Sequence, residues 1–223
     1  MCSRVEFLPI NLKGKVGIDV VIHSAEATLA NYLCALEEYI AKGAYQRMRA
    51  ETKQCEGCDV CCQERAPLTS IDVLVLQKDL APRLTLGEFL QRFTNVCVSG
   101  PMVDISLARQ SDDKCIFLDR NTHRCLHYNK RPLVCRTYIC APLTSRARKL
   151  RDAIVNTGED ELVRLWFKSP VNGRLVIHEA WEPKINEEDW AENNWTGKMT
   201  IQEIFLKDIL PSNLWNELHG KGE

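Results

Sequence analysis

Apolar residues alternate with Gly17 and Asp19 at Val16, Ile18 and Val20, the period of a short half-buried strand. The period then changes. Leu29, Leu33, Leu36 and Ile40 recur at helical spacing, which predicts a helix from an N-cap at Ser24 or Thr28 to about Ala50, with Gly43 kinking or ending it. Cys34 lies beside that stripe and reads as a packed core thiol. Further along, Thr69 and Asp72 have the spacing of a capping box. They open a helix with an apolar face of Val73, Leu76 and Leu80, closed by Pro82. Thr85 and Glu88 open another, carrying Leu86, Phe89, Leu90 and Phe93. Val103, Ile105 and Leu107 alternate as a second strand.

Beyond this point polar turns break the pattern more often. Residues 115–118 and 125–128 flank the turn-rich stretch 119–124, which predicts a hairpin with Cys115 and Cys125 near one end of its arms. Residues 144–156 form a basic helix starting at Thr144, where Arg146, Arg148, Lys149 and Arg151 make a solvated face. Asn172-Gly173 marks a tight turn joining 165–167 to 175–177 as a hairpin. Thr200 with Glu203 starts a last helix whose face is Ile201, Ile204 and Phe205. Trp181, Trp190 and Trp195 lie between, as core or as docking surface. The expected fold is α+β, a small mixed fold with helices and short hairpins packed around a cysteine-rich metal centre. It divides into an N-terminal strand and helix (1–52), a cysteine-cluster metal-binding domain (53–143) and a C-terminal extension of helix, hairpin and helix (144–223).

Composition adds exclusions. The balance of 29 basic and 30 acidic residues carries no polyelectrolyte signature of nucleic-acid or membrane binding. No apolar run is long enough to span a bilayer, and the start Met-Cys-Ser-Arg-Val-Glu shows no signal peptide, so a cytoplasmic setting is expected. A protein partner is compatible with the chain but leaves no readable motif.

The cysteines change the picture most. Residues 55–62 read Cys-Glu-Gly-Cys-Asp-Val-Cys-Cys, four thiols in eight positions, and Cys115, Cys125, Cys135 and Cys140 follow about fifty residues later. Dense disulfides belong to small secreted chains, whereas 223 residues bury a core without staples, which favours metal ligation by reduced thiols. Thiolates select zinc, copper(I) or iron–sulfur clusters. Cys55-x2-Cys58-x2-Cys61 matches the first three ligands of a [4Fe–4S] run, but the usual fourth, three residues on and followed by proline, is missing. A remote ligand from the second block would complete the cluster. Zinc would use two sites of four thiolates, although the second block, spaced x9, x9 and x4, lacks a Cys-x2-Cys knuckle. On spacing, an iron–sulfur cluster (4Fe–4S) and zinc both stand. His123 and His127 add nitrogen donors, though a histidine in a turn is more often simply solvated. Lys130, Arg131 and Arg136 bracket Cys135 and are placed to offset the negative charge of a thiolate centre. Cys2 and Cys97 read as incidental.

The ordered set Cys55-x2-Cys58-x2-Cys61-Cys62, Leu68-Thr69 leading to Asp72, Cys115-x-Phe-Leu, Cys125-x2-Tyr and Arg131-Pro132-x2-Cys135-Arg136-x-Tyr138-x-Cys140 resembles the zinc- or iron-chelating cysteine-cluster family of CxxCxxCC, or YkgJ, type. Flagellin lysine-N-methylases carry a related cysteine block. The resemblance covers roughly residues 53–142 and implies that Cys55, Cys58, Cys61, Cys62, Cys115, Cys125, Cys135 and Cys140 are all candidate ligands. A methylase would need a cofactor loop, yet the one Gly-x-Gly is Gly220-Lys-Gly222, and neither a Gly-x4-Gly-Lys loop nor a Cys-x3-Cys-x2-Cys radical motif is present. His178-Glu179-Ala-Trp-Glu182 imitates a zinc-protease helix up to its last residue, which is glutamate. Three functions stand: an iron or iron–sulfur protein of redox or metal-handling role, a zinc-stabilised interaction module, and a methylase-related enzyme whose substrate site is not legible.

Overall fold

The computed structural model describes residues 3–43 and 58–220; Cys2, Cys55 and the predicted continuation of the first helix to Ala50 lie outside them. The architecture is α+β, with helices and three small separate sheets and no closed barrel among the described residues. The chain forms two units, each of non-contiguous segments. Residues 1–53, 136–154 and 197–223 make the first, and residues 54–135 and 155–196 the second.

In the first unit β1 (Val5–Leu12) pairs antiparallel with β2 (Lys15–Ile22), turning at Lys13 and Gly14, both at positive φ. Strand β2 is the predicted strand. Its partner escaped notice because Pro9 interrupts the pattern, a residue tolerated on an edge strand that needs no N–H on its open side. Helix α1 (Leu29–Lys42) starts at Thr28, whose side chain accepts from the Asn31 N–H while the Asn31 side chain accepts from the Thr28 N–H. Gly43 ends it at φ 65°, and its N–H returns to the Ile40 carbonyl. Leu29, Leu33 and Leu36 are fully buried, as are Ile18, Val20 and Ile22 of β2. Cys34, expected as a free core thiol, is disulfide-bonded. Asp19 is also buried here, where it accepts from Thr144 Oγ1 at 2.6 Å and from both Arg146 Nε and Nη2. Burial raises its carboxyl pKa, but these hydrogen bonds outweigh burial and leave it below the usual range. Of the predicted Thr200–Glu203 box one half forms, Glu203 Oε2 accepting from Thr200 N–H and Oγ1, while Glu203 N–H donates to the Thr200 carbonyl; residues 201–203 make a turn, and the helices come later, α6 (Leu206–Ile209) and α7 (Ser212–Leu218).

The second unit holds α2 (Ser70–Leu80) and α3 (Leu86–Phe93), both begun by the predicted capping boxes. Its three-stranded sheet runs β4-β3-β7, with β3 (Thr94–Ser99) antiparallel to β4 (Met102–Leu107) and parallel to β7 (Glu179–Trp181). Residues 66–68 run beside β4, with hydrogen bonds from Leu68 N–H to Ile105 O and from Leu107 N–H to Ala66 O, both 2.9 Å. The core gathers Leu68, Leu76, Phe89, Leu90, Val96 and Trp166, and each such side chain contributes about 1.5–3 kcal/mol on burial.

Helix α5 (Ser145–Phe167) begins beside the predicted start and runs eleven residues past the expected end at 156. Residues 165–167 are its last turn, not the arm of a hairpin. The Asn172-Gly173 turn exists, with φ of 51° and 75°, but it is closed by a single Val171–Arg174 bridge. Leu162, Val163 and Trp166 are buried at helical spacing, so the apolar period extends the helix through that stretch. Trp195 is fully buried, Trp190 packs on Phe167 at 5.6 Å, and Trp181 is half exposed.

Gly158, inside α5, lets the helix approach the N-cap of α2. A Cβ there would lie 2.7 Å from both Cβ and Cγ2 of Thr69. Gly158→Ala gains about 1 kcal/mol of helix propensity but overpacks a rigid neighbour at a cost of about 1–3 kcal/mol. A net loss of stability is expected in denaturant unfolding; a raised midpoint would contradict this packing.

Candidate metal centre

Cys61, Cys62, Cys115 and Cys135 of the second unit are positioned through main-chain hydrogen bonds. Cys61 and Cys62 lie on a 3-10 turn (Val60–Gln63), where Cys62 N–H donates to Asp59 O at 2.9 Å and Glu64 N–H to Cys61 O at 3.2 Å. The two cysteine blocks are joined directly, because Cys115 N–H donates to Cys62 O at 3.0 Å. Gln110 Nε2 holds the other side of Cys115, donating to its carbonyl at 2.9 Å and to Leu118 O at 2.8 Å. Arg120 Nε fixes that amide by donating to Gln110 Oε1 at 2.6 Å. Arg109 Nη2 donates to Gln63 O at 2.7 Å and Arg109 Nε to Asp113 Oδ1 at 2.6 Å, which tethers the end of the 3-10 turn.

The predicted hairpin is present in reduced form. Strands β5 (Leu118–Asp119) and β6 (Arg124–Cys125) pair Leu118 with Cys125, and Asp119 Oδ1 caps the turn by accepting from Asn121 N–H at 2.9 Å. Cys115 lies three residues ahead of β5, bridged to Arg109. Cys135 sits in α4 (Leu133–Thr137). That short helix starts from a buried carboxylate: Asp72 Oδ1 accepts from Leu133 N–H at 2.9 Å, while Oδ2 accepts from Thr69 N–H at 2.9 Å and Thr69 Oγ1 at 2.8 Å.

These supports bring six predicted ligands to one wall. Cys58, Cys61, Cys62, Cys115, Cys125 and Cys135 line a cavity of about 60 Å³, with Glu64, Leu107, Phe117, His123 and Arg131 among the other residues of its wall. That space lies far below the ~300–1,000 Å³ typical of organic-ligand pockets and suits an ion or a small inorganic group. Among the described residues no three His, Cys, Asp or Glu side chains form a ready-made group for one metal ion, so the thiols share the wall without being preset as ligands. Cys140 is a buried residue of the first unit, and Cys97 is buried in β3. Cys55 lies outside the described residues.

The electrostatics explain what the wall needs. The Cys62 thiol is pushed well up, first by its hydrogen bond with Cys61, then by burial and by the neighbouring sulfurs of Cys115 and Cys135. Burial drives Cys135 strongly upward and also raises Cys115 and Cys125. At these four thiols burial favours the protonated form, and a cation that supplies the opposing charge favours ionisation. Six soft sulfurs on one small cavity therefore fit a thiophilic metal. Of the three expected counter-charges only Arg131 lines the cavity, its guanidinium 3.8 Å over the Tyr128 ring. Lys130 is paired with Asp79, and Arg136 with Glu37 at 3.0 Å, because each has a carboxylate within reach.

His127 turns its ring edge to Phe117, 4.7 Å between centroids, and faces Asp79 at 3.5 Å. His123 lines the cavity, with Nδ1 2.9 Å from Asp59 Oδ2. Sequence reading passed over Asp59, Arg109 and Gln110. Asp59 stood inside the first cysteine block, but its partners Lys114 and His123 are fifty-five and sixty-four residues away.

Residues 54–157 match the sequence profile of the CxxCxxCC family, described as "Putative zinc- or iron-chelating domain". No curated protein and no solved structure matches the chain. The match bears out the resemblance drawn from the cysteine pattern and supports metal binding by this segment. No helix among the described residues is long and apolar enough to cross a membrane.

Asp72→Ala removes one acceptor from three donors, two of them main-chain N–H groups in a buried setting. Each unsatisfied buried group costs about 1–3 kcal/mol, so a loss of roughly 3 kcal/mol is expected in chemical unfolding. Bound metal should fall with it, since Cys135 follows Leu133 by two residues; unchanged metal content would show that Asp72 does not place that thiol.

Proposed function

We propose that the domain matched at residues 54–157 holds iron, as an iron–sulfur cluster, on the thiols of its cavity and serves a redox or metal-handling role in the cytoplasm. One observation carries this reading: six thiols from separated chain segments line a single cavity of about 60 Å³. Either group takes four thiolates, and the Cys55-x2-Cys58-x2-Cys61 spacing with a remote fourth sulfur from the second block is what tilts the reading to the cluster. Bound there, such a cluster supplies one-electron exchange. The chain's own residues do the rest. Arg131 stands at the wall as the cation that offsets thiolate charge, while Leu107 and Phe117 keep part of that wall apolar and limit water. Cys55, outside the described residues, remains in the proposed ligand pool beside these six.

A second reading, a zinc-stabilised interaction module, draws on the family description, which names zinc beside iron, and on His123 as a nitrogen donor at the cavity. The methylase reading gains no organic-cofactor space in this cavity.

Anaerobic purification with metal and sulfide analysis and a visible absorption spectrum separates these readings. Brown protein containing iron and acid-labile sulfide is expected; colourless protein with zinc alone overturns the iron reading. Serine at Cys62, Cys115, Cys125 or Cys135 should weaken metal binding by at least the ~10–100-fold that changes around metal ligands cost, whereas Cys97→Ser should leave metal content unchanged. The raised thiol pKa values also set a sign. Sulfurs that hold protons near neutrality must release them to bind metal, so affinity rises with pH and falls on acidification. Proton release on adding Zn(II) to the metal-free protein in weak buffer checks this, and the absence of release would contradict thiolate ligation.

A further inference from the structure

Among the groups lining the cavity, His123 is supported in a way that solvation of a turn residue does not require. It occupies the left-handed region at φ 53°, which histidine tolerates better than most side chains, and it lines the cavity. Its Nδ1 meets Asp59 Oδ2 at 2.9 Å. Asp59 is held in turn by Lys114 Nζ at 3.2 Å, and its carbonyl accepts from Cys62 N–H, so the same residue anchors the imidazole and the turn carrying Cys61 and Cys62. A carboxylate on one ring nitrogen fixes the tautomer with the proton at Nδ1 and leaves Nε2 as the basic nitrogen, the arrangement in which histidines ligate metals.

We infer that His123 is a nitrogen ligand of the centre, oriented by Asp59, so that its donor set is mixed sulfur and nitrogen rather than thiolate alone. This rests on the proposed metal-binding reading but concerns a residue and a donor type outside the cysteine pattern. Asp59 is a positioning residue: it acts through the imidazole and, by its main chain, through Cys62. Lys114 Nζ, 3.2 Å from the same Oδ2 that meets the imidazole, holds that carboxylate in place.

The test uses the full chain loaded with Zn(II) as the probe and X-ray absorption at the zinc edge. The expected result is a nitrogen shell at about 2.0–2.1 Å beside sulfur at about 2.3 Å. In His123→Ala the nitrogen shell disappears, while His123→Cys keeps zinc in an all-sulfur shell. Asp59→Asn, which no longer presents a carboxylate to the ring, weakens zinc binding about 10–100-fold in competition with a chelator. Circular dichroism of each variant identifies those that fail to fold, and the wild-type spectrum needs no variant. Zinc bound in wild type by sulfur alone overturns the assignment of His123 and leaves the metal reading intact. A nitrogen shell that survives in folded His123→Ala overturns it as well, because another histidine then supplies the donor. Protein that takes up neither zinc nor iron overturns the metal reading, and this inference with it.

Discussion

The organisation of the second unit depends on the carboxylate of Asp72. A helix begins with main-chain N–H groups that have no partner inside the helix, and a buried helix start must find acceptors for them. Asp72 supplies one for its own helix by closing the box with Thr69, and its second oxygen supplies one for the Leu133 amide of α4, sixty-one residues away. Thr69 is also the residue against which α5 packs, at Gly158. Three helices therefore meet at one cap. A burial cost that would be prohibitive for an isolated carboxylate is met here by three donors.

Around that cap the unit accommodates two opposing demands. Clustered sulfurs favour a metal, yet clustering and burial raise the cost of ionising each of them. The fold supplies only modest relief: one arginine at the wall, and the main-chain amides of Phe117 and His127, which donate to the sulfurs of Cys115 and Cys125 without offsetting their burial. The neighbouring basic residues are held by Asp79 and Glu37. The charge that would balance the thiolates is left for a bound cation to provide.

Much of this was legible in local sequence. The Thr69–Asp72 and Thr85–Glu88 boxes act within four residues and appear in the structure as read, and of the two roles open to Gly43, kink or end, it takes the second. Thr200–Glu203 forms only the half in which the glutamate reaches back to the threonine, and no helix follows, since a cap stabilises a start but does not supply the packing that propagates one. Strand β1 stayed hidden behind Pro9, and the end of α5 was mistaken for a strand because a short apolar run near a turn fits either period. At the cavity, sulfur is a chemical signal that survives without coordinates. The roles of Asp59, Arg109 and Gln110 are not of that kind. They arise from contacts with residues brought close only by folding, or from carbonyls that carry no sequence signature.

The hydrogen bond from Cys115 N–H to Cys62 O has a consequence for how such a wall is filled and emptied. It joins the two blocks through peptide groups, which are the same whether the sulfurs are protonated, ionised or ligated. The spacing between blocks is thus independent of the chemical state of the thiols. The main-chain link between Cys62 and Cys115 stands apart from the sulfurs that a guest would engage, and it holds the two segments together without one.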